Sequence, residues 1–298
     1  MATNCASIDR FIAQGSHAPG NQGALFHVRY GDRTQASPVL FIHGIPSWSW
    51  LWRDVLPVTG ADRLSIAIDL PGFGLSGKSD QQDFRVTALA SAIEQFIDQE
   101  IGVGERISLV AHDFGVLVAM ELLCRAPERY PDLVITNTSL RADAWTGGGP
   151  LQILGVPGLG DLSMALARAW MLRLAMRPFV TDKDALRGER FDGYWYPFRH
   201  GFGKTLARLY RQRPVEPADF DRWRRALNDY TGRTLILWGA NDPAFRLDEM
   251  RDILSLRPDA ETMMFPGASH FLPEDAPKSM GRRIRAFLSG IPVTPADH

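Results

Sequence analysis

The passage from residue 107 to residue 124 constrains the fold more than any other part of the chain. Residues 107–111 are mostly apolar and have the length of a buried strand, while residues 116–124 have the length and composition of an apolar helix. The few residues between them, which include His112, Asp113 and Gly115, leave room only for a tight turn. A strand that turns directly into a helix lifts the side chain at the apex of the turn above the sheet. The sequence therefore predicts that Asp113 stands at such an apex.

An aspartate in this position predicts a nucleophile for sp³ carbon. A carboxylate that displaces a leaving group from sp³ carbon forms an alkyl ester, and activated water can hydrolyse that ester. A serine alkoxide would form an ether, which water does not remove. The acid at the apex therefore favours cleavage of a carbon–halogen bond or of an epoxide carbon–oxygen bond over hydrolysis of carboxylic esters. The alternative is that Asp113 only caps the following helix.

The alternation of segments along the chain predicts an α/β fold. Short apolar runs of the strand type occupy residues 24–30, 39–42, 64–70, 107–111, 133–137, 234–238 and 262–265. Helical patterns occupy residues 86–100, 116–123, 247–256 and 279–288. Strands that alternate with helices indicate a mostly parallel central sheet flanked by helices on both faces.

The alternation stops between residues 141 and 229, and we predict that this segment is an inserted helical cap. It opens with Thr146-Gly147-Gly148-Gly149-Pro150 and is then rich in aromatic residues and helical patterns. Residues 1–140 and 230–298 would form the core, and the cap would cover the carboxyl ends of the strands, where open α/β sheets bind ligands. The alternative for the aromatic residues is that they only fill the interior of the cap.

Two further strand ends carry residues that suit catalysis. Asp242 follows the run at 234–238, and His270 follows the run at 262–265. Together with Asp113 they stand in the order nucleophile, acid, base. We predict that His270 activates water and that Asp242 orients the imidazole ring and stabilises its protonated form.

The segment after residues 39–42 predicts an oxyanion site. Gly44 allows close approach of the backbone, and Pro46 suits a cis peptide bond in a tight turn. The backbone N–H groups of Ile45 and Phe114 would then point at the oxygen of the ester during hydrolysis. His43 and His112 lie nearby in sequence without an acid partner, so we expect structural roles for both.

These segments together resemble the α/β-hydrolases that use an aspartate nucleophile, which include haloalkane dehalogenases, epoxide hydrolases and fluoroacetate dehalogenases. The similarity to haloalkane dehalogenases is closest, in residues 43–53, 69–76 and 270–275. The resemblance implies an α/β-hydrolase fold with Asp113, Asp242 and His270 as its catalytic triad. Asn137 suits members of the family whose acid follows the seventh strand, and no cofactor or metal is implied.

Two positions depart from the haloalkane dehalogenases. These enzymes usually have Trp after the nucleophile and often Asn or Glu after His-Gly, and both side chains hold the halide. This chain has Phe114 and Ile45, which lack side-chain donors. Epoxide hydrolases need instead a cap tyrosine that donates to the leaving oxygen. The candidates for contacts with substrate or leaving group are Tyr210, which its late position in the cap favours, and Trp170, Trp195, Tyr194 and Tyr196.

Composition excludes several other classes of protein. The 298 residues carry a net charge of −1 without a basic stripe, which argues against a nucleic-acid partner. Cys5 and Cys124 are too far apart to indicate a disulfide framework or a metal cluster. No apolar run resembles a signal peptide or approaches the roughly 18 residues of a membrane span.

We therefore expect a cytoplasmic hydrolase that acts on a small apolar substrate, with no cofactor and no nucleic-acid or membrane partner. Haloalkane and epoxide substrates both stay open. A third possibility is a relative that uses the same pocket without hydrolysis, such as a ligand receptor or a biosynthetic lyase or cyclase. The sequence leaves the oligomeric state open.

Overall fold

The protein contains one eight-stranded sheet. A computed structural model describes residues 7–146 and 150–291, so Cys5 and Gly147–Gly149 lie outside the described residues. The strands are β1 (Gly15–Ala18), β2 (Leu25–Tyr30), β3 (Val39–Ile42), β4 (Ser65–Ile68), β5 (Ser108–His112), β6 (Asp132–Thr136), β7 (Arg233–Gly239) and β8 (Glu261–Phe265).

Helices connect most of these strands. They are α1 (Ile8–Gln14), α2 (Leu56–Thr59), α3 (Val86–Glu100), α4 (Phe114–Arg125), α5 (Ala142–Thr146), α6 (Leu159–Ala165), α7 (Ala169–Met176), α8 (Gly188–Arg199), α9 (Phe202–Gln212), α10 (Pro217–Asp229), α11 (Leu247–Leu256), α12 (Leu272–Asp275) and α13 (Pro277–Leu288). Short 3-10 helices cover Ser49–Trp52, Pro127–Arg129, Pro150–Gly155, Arg177–Phe179 and Lys183–Leu186. Across the described ranges, no helix combines the length and the apolar character needed to cross a membrane.

The strand order in the sheet is β1-β2-β4-β3-β5-β6-β7-β8. Strand β2 is antiparallel to both of its neighbours, and β4 to β8 form a parallel block together with β3. The expected mostly parallel α/β architecture is confirmed, and each predicted strand lies within two residues of an observed one. The unpredicted β1 is an edge strand in which only Ala18 is buried, so it lacks the apolar run that marks the central strands.

The central strands have buried side chains on both faces of the sheet. Leu109 of β5 packs in the core that contains α3 and α4, and Val110 packs in the opposite core with α2 and α13. Because successive side chains of a strand point to opposite faces, a strand that is covered on both sides must be apolar throughout. This double burial is the physical reason for the continuous apolar runs in the sequence.

All elements described between β6 and β7 are helical, but they do not all lie in one layer. Helix α10, at the end of the segment that we assigned to a cap, buries Phe220, Trp223 and Leu227. The Trp223 Nε1–H donates to Glu121 Oε2 of α4 at 3.0 Å. Helix α10, which belongs to the predicted cap segment 141–229, therefore packs against α4 of the predicted core.

Candidate active site

Asp113 lies at the tight turn between β5 and α4. Its backbone has φ 54° and ψ −124°, a left-handed conformation that a residue with a side chain rarely adopts. The Thr138 hydroxyl donates to the Asp113 carbonyl oxygen at 2.9 Å. A Cβ atom at Gly115 would lie 2.5 Å from the Ile42 carbonyl oxygen, so only glycine fits against the end of β3. The packing at both sides of the turn thus maintains the strained conformation that presents the carboxylate.

One oxygen of this carboxylate occupies the predicted oxyanion site. The Ile45 N–H donates to Asp113 Oδ1 at 2.8 Å, and the backbone N–H groups of Ile45 and Phe114 both lower the pKa of the carboxyl, although burial outweighs them. A Cβ atom at Gly44 would lie 2.3 Å from Oδ1, and the peptide bond between Ile45 and Pro46 is cis. The backbone at Ile45 therefore holds Oδ1 in the position that the sequence analysis predicts for an oxyanion site.

The second oxygen of Asp113 faces His270. His270 Nε2 lies 3.8 Å from Asp113 Oδ2, and His270 Nδ1 lies 2.8 Å from Asp242 Oδ2. Asp242 also accepts a hydrogen bond from the Asn137 side-chain amide at 2.8 Å and one from the Phe245 N–H at 3.0 Å. The structure thus brings the three predicted triad residues together at the carboxyl ends of neighbouring strands, with the imidazole ring held so that Nε2 points to the nucleophile.

The electrostatics of the triad suit a proton transfer at His270. Burial raises the pKa of Asp113 to about 6, so the carboxylate is ionised at neutral pH. Burial by itself lowers the pKa of His270, but the negative charge of Asp242, its hydrogen bond and the charge of Asp113 together raise it above the ordinary value. Burial would raise the pKa of Asp242, yet contact with His270 lowers it overall. An ionised Asp242 therefore stabilises the protonated form of the His270 ring.

The two other histidines near the nucleophile have structural surroundings. His43 Nδ1 lies 2.9 Å from the Gly44 carbonyl oxygen, and its Nε2 accepts from the Leu70 N–H at 3.0 Å. His112 Nδ1 lies 3.0 Å from the Thr136 hydroxyl. Burial lowers the pKa of His43 to about 4 and that of His112 well below its usual range. Both rings are thus neutral at pH 7 and hydrogen-bond to neighbouring strand ends.

The three predicted cap tyrosines have different surroundings. Burial raises the pKa of Tyr210 above its usual range, and the negative charge of Asp113 raises it further. The Tyr194 hydroxyl donates to Glu274 Oε1 at 2.6 Å. The Tyr196 ring stacks on Trp48 with centroids 6.4 Å apart. The charge of Asp113 thus acts on the Tyr210 phenol, whereas the Tyr194 hydroxyl is bound to Glu274.

The two predicted cap tryptophans have different surroundings. Trp170 has 64% of its surface exposed. Trp195 stacks on Phe198 with centroids 5.1 Å apart. A third tryptophan, which the sequence did not single out, is closer to the site. The Trp145 ring lies 6.0 Å from that of Phe114, but its Nε1–H donates to the Ser139 carbonyl oxygen at 2.9 Å.

Comparison with known proteins places this site in a family. The family model described as "Alpha/beta hydrolase family" matches residues 39–280, which is more than half of the chain. The chain belongs to the alpha/beta hydrolase family. The hydrolase is 26% identical to the cis-3-alkyl-4-alkyloxetan-2-one decarboxylase of Shewanella oneidensis, over 97% of this chain and 95% of that protein. It is 27% identical to haloalkane dehalogenase 2 of Mycobacterium bovis, over 86% of this chain and 90% of that protein.

Solved structures agree with this assignment. The crystal structure of haloalkane dehalogenase DbeA from Bradyrhizobium elkani matches with a TM-score of 0.79 and 25% identity, and covers 93% of this chain and 97% of that chain. The predicted closeness to haloalkane dehalogenases, the fold and the assignment as a hydrolase are confirmed. In the described part of this hydrolase, no group of three or more His, Cys, Asp or Glu side chains could hold a metal ion.

Sequence reasoning missed a buried ion-pair cluster behind the base of this hydrolase. Arg53 donates two hydrogen bonds to Glu274, at 2.5 and 2.8 Å, and Arg190 Nη2 donates to Glu274 Oε2 at 3.0 Å. Tyr194 completes the cluster through its bond to Glu274. Glu274 lies four residues after His270, so the cluster ties the loop of the base to α8 and to the segment after β3. Arg53 and Glu274 both lie in segments that resemble haloalkane dehalogenases. They are 221 positions apart, so no local sequence pattern indicates that they pair.

Proposed function

We propose that this hydrolase cleaves a bond at an sp³ carbon of a small apolar substrate through an alkyl ester on Asp113. The division of the Asp113 carboxylate carries the proposal, because the Ile45 N–H holds Oδ1 while Oδ2 faces His270 and can attack the substrate. The nucleophile bonds to carbon as the leaving group departs with the bonding electron pair. His270 then takes a proton from water, and the resulting hydroxide adds to the ester carbon of Asp113. Collapse of the adduct releases the product alcohol, which receives the proton from His270, and the proton that remains on the Asp113 carboxyl passes to solvent, which restores the carboxylate.

The side chains around the nucleophile favour oxygen over halide as the leaving group. A halide that departs into an apolar pocket needs hydrogen-bond donors. Phe114 and Ile45 have none in their side chains, and the indole N–H of Trp145 already bonds to a carbonyl oxygen. Burial and the charge of Asp113 raise the pKa of Tyr210, so its phenol carries a proton at neutral pH. We therefore favour a strained cyclic ether, an epoxide, whose oxygen stays attached to the substrate and receives the Tyr210 proton.

A labelling experiment tests the covalent mechanism. Turnover of an epoxide in heavy-oxygen water is expected to place the label in the Asp113 carboxylate, because hydroxide attacks the ester carbon of the enzyme. Mass spectrometry of the peptide that contains Asp113 measures it, and diol and bromide are quantified in parallel from an epoxide and a bromoalkane. Label found in the product after a single turnover, with none in Asp113, would show general-base catalysis and exclude the covalent step. The Asp113→Asn variant serves as the inactive control.

Variants at three positions test the leaving group. Phe114→Trp combined with Ile45→Asn is expected to raise bromoalkane turnover by roughly 5- to 150-fold, because a missing donor to a desolvated group costs about 1–3 kcal/mol. Tyr210→Phe is expected to reduce diol formation and to affect bromide release less. Steady-state rates on both substrates measure these effects, with Tyr196→Phe as the matched control in the cap. A wild-type enzyme that releases bromide efficiently and opens no epoxide would contradict the preference for oxygen.

A second candidate reaction is the decarboxylation of a cis-3,4-dialkyl oxetan-2-one. The full-length similarity to a decarboxylase of such lactones favours it. Asp113 would attack C4 of the ring, and the ring oxygen would leave as a carboxylate, which needs neither a halide donor nor an acid. Loss of CO₂ then breaks the C2–C3 bond, and its electron pair forms the C3–C4 double bond as Asp113 departs. This route consumes no water, so it yields alkene and CO₂ without label in Asp113.

A further inference from the structure

The exposed apolar side chains of this hydrolase are concentrated in one short stretch. Nine of the twelve exposed large apolar residues in the described part of the chain lie between residues 151 and 174. Most soluble proteins expose such residues singly, and a concentration of them marks an interaction surface. Six of the nine lie on α6 and α7 or directly beside them, and we call these six the apolar face: Leu159, Leu162, Leu166, Trp170, Met171 and Leu174, which are between 41% and 64% exposed.

Helical spacing brings the members of the apolar face together. Leu159, Leu162 and Leu166 follow each other at intervals of three and four residues, and so share one side of α6 and its end. Trp170 and Leu174 share one side of α7 in the same way. A surface helix normally turns polar residues to water. Here apolar side chains also meet solvent on both helices, while Leu172 and Met176 of α7 pack towards the interior.

The charges around the apolar face are mainly positive. Arg168, Arg173 and Arg177 are exposed and lie between or beside its members. Asp161 is the one acidic residue between positions 151 and 179, and it pairs with Arg211 at 2.6 Å. The stretch thus carries three positive charges against one negative charge, in a chain whose net charge is −1.

We propose that the apolar face binds the surface of a membrane that contains anionic phospholipids. Leucine and tryptophan side chains among arginines have the composition of helices that lie in the interface of a bilayer, with the apolar side in the acyl region and the cations at the headgroups. A second copy of this chain fits less well, because a two-fold interface would place the three arginines of each copy against those of the other. The sequence analysis predicts no membrane partner. Composition alone does not show which apolar residues face solvent, and so it could not reveal this surface. The proposal goes beyond the proposed chemistry and holds whichever substrate Asp113 attacks.

Vesicle binding tests the proposal with the intact protein. Wild type is expected to co-sediment with vesicles of equal parts phosphatidylglycerol and phosphatidylcholine, and less with phosphatidylcholine alone. The triple variant Leu162→Ser/Leu166→Ser/Leu174→Ser is expected to bind at least about tenfold more weakly, because it withdraws apolar surface from the bilayer. Arg168→Ala/Arg177→Ala is expected to bind about 25-fold more weakly, since each basic residue at an anionic surface contributes about fivefold.

Matched variants keep the test specific. Val103→Ser/Met264→Ser/Ile291→Ser removes three exposed apolar side chains elsewhere and is expected to bind vesicles like wild type. Arg225→Ala is the corresponding charge control. The triple leucine variant is expected to retain its circular dichroism spectrum and its turnover of a water-soluble substrate without vesicles. Absence of vesicle binding, or equal binding by the triple leucine variant, would overturn the proposal. Self-association of the lipid-free protein that is lost in this variant would identify a second copy as the occupant instead.

Discussion

Replacement of His270 by Gln is expected to stop the reaction after Asp113 has been alkylated. The first step needs only the carboxylate, whereas the second needs a base that deprotonates water, and glutamine is not such a base. General-base catalysis contributes about 10²- to 10⁴-fold, so turnover of an epoxide or a bromoalkane should fall by that factor. Intact-protein mass spectrometry should then show a stable adduct with the mass of the substrate alkyl group.

The control for this variant is His200→Gln, which changes an exposed histidine in the same way. It should turn over like wild type and accumulate no adduct. A His270→Gln protein that stays unmodified after long incubation with a substrate of the wild type would contradict the two-step mechanism. A lactone substrate separates the two proposed reactions, because decarboxylation needs no water and should continue in this variant.

Replacement of Arg53 by Met is expected to lower the free energy of unfolding by about 3–5 kcal/mol, the usual effect of removing one partner of a buried ion pair. Burial alone would raise the pKa of Glu274, and the charge and hydrogen bonds of Arg53 are the main cause of its lower value. Without Arg53, the buried carboxylate keeps only Arg190 and Tyr194 as partners. Urea denaturation followed by circular dichroism measures the change.

Arg251→Met provides the comparison for Arg53→Met. Arg251 pairs with Asp248 at 2.8 Å, but both side chains are more than 70% exposed. Exposed pairs of this kind contribute about 0–1 kcal/mol, so this variant should unfold almost like wild type. Equal unfolding midpoints for the two variants would show that Glu274 does not depend on Arg53. Glu274 lies in α12, only four residues after His270. We therefore also expect Arg53→Met to lower the hydrolytic rate.

The sequence by itself determined the elements that carry the candidate chemistry. The apolar run before Asp113 predicted β5, because a strand that is buried on both faces must be apolar throughout. The helical pattern after Asp113 predicted α4, and the two together predicted the turn between them. The carboxyl ends of parallel strands meet at one edge of a sheet. The order of Asp113, Asp242 and His270 along the chain was therefore sufficient to predict that they come together.

Local patterns failed where a residue's role depends on the direction of its side chain. Trp170 and Tyr210 both belong to aromatic, helical parts of the cap segment, and helical periodicity does not show which of them faces solvent. Packing leaves Trp170 largely exposed and buries Tyr210 more deeply. Helix α10 is a related case. The spacing of its apolar residues predicts a helix with one buried side, but it does not reveal that this side packs against α4.

Tertiary structure alone decided which distant groups meet. Arg53 and Glu274 are 221 positions apart, and the partner of each is set by the packing of α8 and α12 against the segment after β3. The arrangement of neighbouring elements also leaves the apolar face of α6 and α7 in solvent, although its leucines have the spacing of an ordinary buried helix. Periodicity determines that a helix has an apolar side, whereas the arrangement of neighbouring elements determines whether that side is covered.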